Sequence, residues 1–68
     1  MAIEVAIQKG NFVHVYGNGN RELFSKLINP SDGDALMGFT STTVSIKQGI
    51  FIRVYDETGR EISSHFAN

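Results

Sequence analysis

The sequence predicts an all-β fold: two internally duplicated three-stranded antiparallel meanders, about six strands in all, packed as a small sandwich or open barrel with pseudo-twofold symmetry. Three observations predict it. The chain repeats itself at a fixed spacing, its apolar residues alternate with period two, and glycine or asparagine punctuates the intervals between the alternating runs.

The repeat is gapless. A shift of 39 positions lays Gly10-Asn11-Phe12-Val13-His14-Val15-Tyr16 over Gly49-Ile50-Phe51-Ile52-Arg53-Val54-Tyr55, then Arg21-Glu22-Leu23 over Arg60-Glu61-Ile62. Ten of 27 aligned positions are identical (5, 7, 10, 12, 15, 16, 21, 22, 25 and 29 with their partners), which chance does not supply. The chain is therefore read as one domain, 1–68, with repeat units at about 3–28 and 42–67 and a connector at 29–41.

Each unit opens on alternation. Ile3, Val5 and Ile7 alternate with Glu4, Ala6 and Gln8, as Thr42, Val44 and Ile46 do with Thr43, Ser45 and Lys47. The second strands, Phe12 to Tyr16 and Ile50 to Tyr55, are rich in β-branched and aromatic residues. The third run from Arg21 to Ile28 and Arg60 to Phe66. No segment carries a useful helical period.

Turn chemistry sets the expected register. Gln8-Lys9-Gly10 and Lys47-Gln48-Gly49 read as three-residue loops closed by left-handed glycine, since a two-residue loop at Lys-Gly would force lysine to positive φ. Glu57-Thr58-Gly59 and Asn18-Gly19-Asn20 repeat the pattern. Counting outward places Val5 opposite Val13, Val15 opposite Leu23 and Val54 opposite Ile62. The expected core faces are then Val5, Ile7, Val13, Val15, Leu23 and Leu27, against Val44, Ile46, Ile50, Ile52, Val54, Ile62 and Phe66. In the connector, Asn29-Pro30-Ser31-Asp32-Gly33-Asp34 is loop punctuation, and Leu36, Met37 and Phe39 form a plug or a short strand.

Gly10-x-Phe12-Val13-x-Val15-Tyr16 and Gly49-x-Phe51-Ile52-x-Val54-Tyr55, with the Asp32-Gly33 to Gly38-Phe39-Thr40 connector between them, resemble small tandem-hairpin proteins of phages and prophages. The resemblance covers nearly the whole chain. It implies a phage or prophage setting and no assigned chemistry. Tyr55-Asp56-Glu57-Thr58-Gly59-Arg60 is similar to the YD repeats of large secreted shell-forming proteins, which is shared hairpin chemistry: Gly17 stands where the first unit's aspartate would be.

Length and composition bound the function. A chain of 68 residues buries only about 60% of its unfolded surface, and without cysteine it lacks both disulfides and thiolate metal sites. A homo-oligomer, a dimer first, is the expected reinforcement. A net charge of -1 creates no global field for nucleic acid or anionic membrane. No apolar run approaches the roughly 20 residues of a membrane span, and Met1-Ala2-Ile3-Glu4 does not begin like a signal peptide. The expected location is the cytoplasm, or a virion if the chain is phage-encoded.

The candidate binding residues are Phe12, His14 and Tyr16 in one unit and Phe51, Arg53 and Tyr55 in the other, two aromatics bracketing a basic residue on a strand. The expected register puts Glu22, Phe24 and Lys26 beside the first set, and Glu61, Ser63 and His65 beside the second. Such a face serves packing or a subunit interface, a partner protein, or stacking on nucleic acid or a glycan. Scarce clustered Lys and Arg weigh against nucleic acid. Arg21-Glu22 and Arg60-Glu61 read as cross-strand charge pairs beside turns. Asp32-Gly33-Asp34 lacks the ligands calcium needs, and two histidines on aromatic strands do not make a metal site, so no metal or other cofactor is expected. Ser63-Ser64-His65 gives no catalytic arrangement, because adjacent strand residues point to opposite faces. The reading is a non-enzymatic β module acting by self-association or protein–protein interaction, with nucleic-acid or glycan binding as the alternative.

Overall fold

The computed structural model describes residues 2–67, which form seven strands: β1 (Val5–Lys9), β2 (Phe12–Tyr16), β3 (Glu22–Leu27), β4 (Ala35–Phe39), β5 (Thr43–Gln48), β6 (Phe51–Asp56) and β7 (Glu61–Phe66). They make two antiparallel sheets, β1-β2-β3 and β4-β5-β6-β7. The connector supplies β4, the short strand that Leu36, Met37 and Phe39 suggested, beyond the six strands of the two meanders.

The duplication holds at both ladders of each meander. Val5 pairs with Tyr16 and Val44 with Tyr55; Phe12 pairs with Leu27 and Phe51 with Phe66; Tyr16 pairs with Glu22 and Tyr55 with Glu61. The turns correspond in the residue that closes them, although Gly19 is left-handed at φ 71° where its counterpart Thr58 is not. Gly10 and Gly49 have φ of 60° and 64°, and Asn20 and Gly59 have φ of 62° and 88°. Gly17 N–H donates to the Arg21 carbonyl at 2.7 Å, as Asp56 N–H does to Arg60 at 2.8 Å.

The first turn of each unit is shorter than expected. Lys9 pairs with Phe12 and Gln48 with Phe51, leaving the two-residue loops Gly10-Asn11 and Gly49-Ile50. Positive φ at the first central residue alone is the type II′ arrangement, which spares the lysine and keeps glycine left-handed. The register is therefore displaced by three residues from the three-residue count, an odd slip that turns β1 over. Val13 faces Gln8 instead of Val5, and Val15 faces Ala6.

The second turns have the expected three-residue loops, but each is followed by a bulge. The register shifts between Val15 and Tyr16, and again between Val54 and Tyr55. Leu23 and Ile62 are the extra residues, so Val15 pairs with Phe24 and Val54 with Ser63, in place of the expected Leu23 and Ile62. Phe24 and Lys26 thereby move to the face of Val13 and Val15.

Burial shows how the sheets meet. Directly paired residues share a face, so Ala6, Val13, Val15 and Phe24 form one face of the first sheet. Val44, Ile46, Tyr55 and Leu36 form one face of the second. These side chains, with Ile3 and Ile28, are the core. Each fully buried Val or Ile contributes roughly 1.5–3 kcal/mol by leaving water. The Ile3 amide, bonded to the Ser41 carbonyl at 2.7 Å, ties the sheets together at one corner.

Two like faces covering each other was the expected packing, and here the structure differs. Val13 and Val15 are buried in the first unit, whereas their counterparts Ile52 and Val54 lie on the outer side of the second. Conversely Val44 and Ile46 are buried while Val5 and Ile7 point outward. The units are copies in their three strands, registers and first turns, yet they meet through opposite faces, so the sandwich lacks the expected pseudo-twofold. Leu27, Ile50, Ile62 and Phe66, all expected in the core, are exposed for the same reasons.

Candidate interaction face

The candidate triads fall on different sides of the sandwich. Phe12, His14 and Tyr16 alternate along β2 on the outer face of the first sheet. Their ring centroids are 5.9 Å (Phe12–His14) and 6.3 Å (His14–Tyr16) apart, forming a ladder of three rings. Ile7 and Leu27 flank the ladder from β1 and β3, with relative exposures of 46% and 65%, and Phe12 itself is 43% exposed. This is an open, mainly apolar sheet face.

The second triad faces the other way. Tyr55 is buried and donates its hydroxyl hydrogen to Gln48 Oε1 at 2.7 Å. Its ring lies 6.5 Å from that of Phe24, and Lys26 Nζ sits 4.6 Å from the Tyr55 centroid, both partners belonging to the first sheet. Burial pushes the Tyr55 phenol above its ordinary value of 10.0, with the Glu61 charge adding to the shift. Arg53 stands 5.1 Å from the Phe51 centroid. Its Nη1 donates to Glu61 Oε1 at 3.1 Å, while its buried Nε finds no partner among the described residues. Phe51 stacks on Phe66 at 5.4 Å. Tyr55 is thus a packing residue, and the two triads do not share one surface.

The acidic partner of each triad is also duplicated. His14 Nδ1 donates to Glu22 Oε1 at 3.0 Å, the counterpart of Arg53 and Glu61. Both pairs are part-exposed, which limits each to under about 1 kcal/mol. Glu22 and Glu61 were expected to pair near their turns; the partners are His14 and Arg53 across the strand, not the neighbouring Arg21 and Arg60.

Two departures from the duplication have local causes. Asp56 Oδ1 accepts from the Thr58 hydroxyl at 2.7 Å, the Thr58 amide at 2.9 Å and the Arg60 amide at 3.0 Å, and these bonds hold its carboxyl below the usual 3.8. Gly17 takes that position in the first unit because a Cβ there would stand 3.0 Å from Leu23 Cδ2 and 3.1 Å from the Ala2 carbonyl oxygen. Asp34, in the connector, accepts from the Gly49 amide at 2.8 Å and the Asn29 amide at 2.9 Å, which lowers its pKa also. The aspartates flanking Gly33 are thus turn and tether residues; among the described residues no group of three His, Cys, Asp or Glu is placed to hold a metal ion.

Two open clefts accompany these faces. One of about 600 Å³ is lined by Ala2, Glu4, Asn18, Arg21 and Leu23, and one of about 400 Å³ by Asn11, Leu27, Ile28, Asn29 and Asp34. Neither is lined by a serine, histidine or lysine side chain. No helix among the described residues is long and apolar enough to cross a membrane.

Sequence reasoning found the ladder on β2 but missed Ile7 and Leu27 as its flanks. The type II′ signal in Gly10-Asn11, glycine first rather than third in the loop, was the cue that would have found Ile7; Leu27 reaches the ladder through the bulge at Leu23. No family model, curated protein or solved structure matches the chain.

Proposed function

We propose that this protein is a small non-enzymatic β module that works by self-association or protein binding through the outer face of β1-β2-β3. One observation carries the reading. The Phe12–His14–Tyr16 face is the duplicate of the Phe51–Arg53–Tyr55 face, and in that second copy Tyr55, with Val44 and Ile46, packs against the first sheet. The same residue pattern left open on the first unit is a surface of the kind aromatic hot spots occupy.

The alternative, nucleic-acid or glycan binding, draws on the same ring ladder, since bases and sugar rings stack on exposed aromatics. The charges near the ladder favour it less. His14 is held by Glu22, and Arg53 lies on the inner face of the other sheet. Phosphate contacts need clustered cations.

Sedimentation velocity over a wide concentration range tests the proposal. Wild-type protein is expected to associate, and Phe12→Glu to remain folded but monomeric. A wild type that stays monomeric at high concentration and is bound by single-stranded oligonucleotide or oligosaccharide moves the assignment to the alternative.

A further inference from the structure

The packing of one unit on the other inside the chain is a template for packing between chains. The face of the second unit that carries Tyr55, with Val44 and Ile46, lies on the first unit's Val13–Val15 face. Each unit also carries its own copy of the face the other one uses. The first presents Phe12, His14 and Tyr16 outward from β2, and the second presents Ile52 and Val54 outward from β6, beside Ser63 and His65 of β7. We infer that molecules of this protein stack head-to-tail, the outer Phe12–His14–Tyr16 face of one copy seated on the outer Ile52–Val54–His65 face of the next. The inference rests on the self-association reading above and names the surface that receives the aromatic face.

The substitutions between the units support this pairing. Val13 and Val15 become Ile52 and Val54, so the centre of the receiving surface stays apolar and β-branched. Tyr55 corresponds to Tyr16, and Lys26, which stands over the Tyr55 ring, corresponds to His65. A cation above a tyrosine face inside the chain is therefore matched by an imidazole positioned for the Tyr16 ring of the next copy. Phe24 and Ala6 become Ser63 and Ser45, which makes the outer seat shallower and more polar than the internal one. The contact between chains is accordingly weaker than the one within them, and reversible.

The geometry also dictates the form of the assembly. A contact between unlike faces leaves one of each free on every pair, so it extends into a ring or an open stack. A contact between two like aromatic faces would close at a dimer.

Mixing of single-face variants separates these cases. Phe12→Glu blocks the aromatic face and Val54→Lys the receiving face; Ser63→Lys, at an exposed position, blocks the receiving face a second way. Thermal unfolding establishes that each is folded, and native mass spectrometry with sedimentation velocity reads the species. Head-to-tail stacking predicts wild-type species larger than dimers and monomeric single variants. It further predicts that an equimolar mixture of Phe12→Glu with either receiving-face variant forms a one-to-one heterodimer and nothing larger. If the receiving-face variants dimerise alone while Phe12→Glu does not, two aromatic faces are pairing: the inference fails and the self-association reading stands. Association untouched by either class of variant, or a mixture that stays monomeric, also overturns the inference. A monomeric wild type overturns the self-association reading itself.

Discussion

Tyr16 and Tyr55 hold the same place in the duplicated meander, yet they occupy opposite environments. Each pairs with a valine on one side, Val5 or Val44, and a glutamate on the other, Glu22 or Glu61. Tyr55 is only 6% exposed, packs against Phe24 and Lys26, and bonds to Gln48. Tyr16 lies on the open side of the other sheet, beside His14. Duplicated sequence has given duplicated strands, and the packing has then separated the roles of equivalent residues.

Twin substitutions expose that separation. Ile46→Ala removes a fully buried side chain and should cost about 2–5 kcal/mol, while Ile7→Ala, at the equivalent open position, should cost under about 1 kcal/mol. Denaturant unfolding of both variants below the association concentration measures the difference. Equal costs would contradict opposite-face packing.

Much of this was legible in the sequence, and the parts that were not have physical reasons. The gapless repeat, the left-handed residues Gly10, Asn20, Gly49 and Gly59, and the burial of Val13, Val15, Val44 and Ile46 all follow from pattern and turn chemistry. Alternation could not choose a face for β6, because Phe51 and Tyr55 make one side apolar while Ile52 and Val54 make the other so. The bulges at Leu23 and Ile62 leave no mark in residue type, yet each reassigns the rest of its strand to the opposite face. In the aromatic site, β2 was read correctly, whereas the face of β1 depended on a loop one residue shorter than the count assumed.

The glycine turns should respond unequally to a methyl group. Gly49 has φ of 64° and open space around its Cβ direction, so Gly49→Ala should cost about 1 kcal/mol or more from backbone strain alone. Gly59 has φ of 88°, and its Cβ would also meet the Phe24 ring at 3.0 Å. Gly59→Ala should therefore be the more destabilising of the two in denaturant unfolding. The reverse order would remove the contact between the second unit's turn and Phe24.

Acid should loosen the connector. Asp34 is held below its ordinary pKa of 3.8 by the Gly49 amide first and the Asn29 amide second. A depressed folded pKa means its contribution is present above the unfolded value and is lost as pH falls through the folded one. The melting temperature of Asp34→Asn should lie below wild type at pH 7, and the gap should narrow as pH drops below 3.8. A gap independent of pH would show that the carboxylate does not tether the hairpin.

Alkali should act on Tyr55. Its folded pKa is raised, chiefly by burial, so its contribution is complete below the unfolded value of 10.0 and is lost as pH climbs through the folded pKa. Tyr55→Phe forfeits the Gln48 hydrogen bond, about 1 kcal/mol, but should abolish this part of the alkaline decline. An unchanged decline in the variant would assign it to another group.

The most direct test of opposite-face packing is a nuclear Overhauser spectrum of dilute, monomeric protein. Cross-peaks should run from the Tyr55 ring to the side chains of Lys26 and Phe24, and from the Val44 and Ile46 methyls to residues of the first sheet. Cross-peaks from the Ile52 and Val54 methyls to Val13 and Val15, with none from Tyr55 to the first sheet, would show like faces meeting and contradict the account.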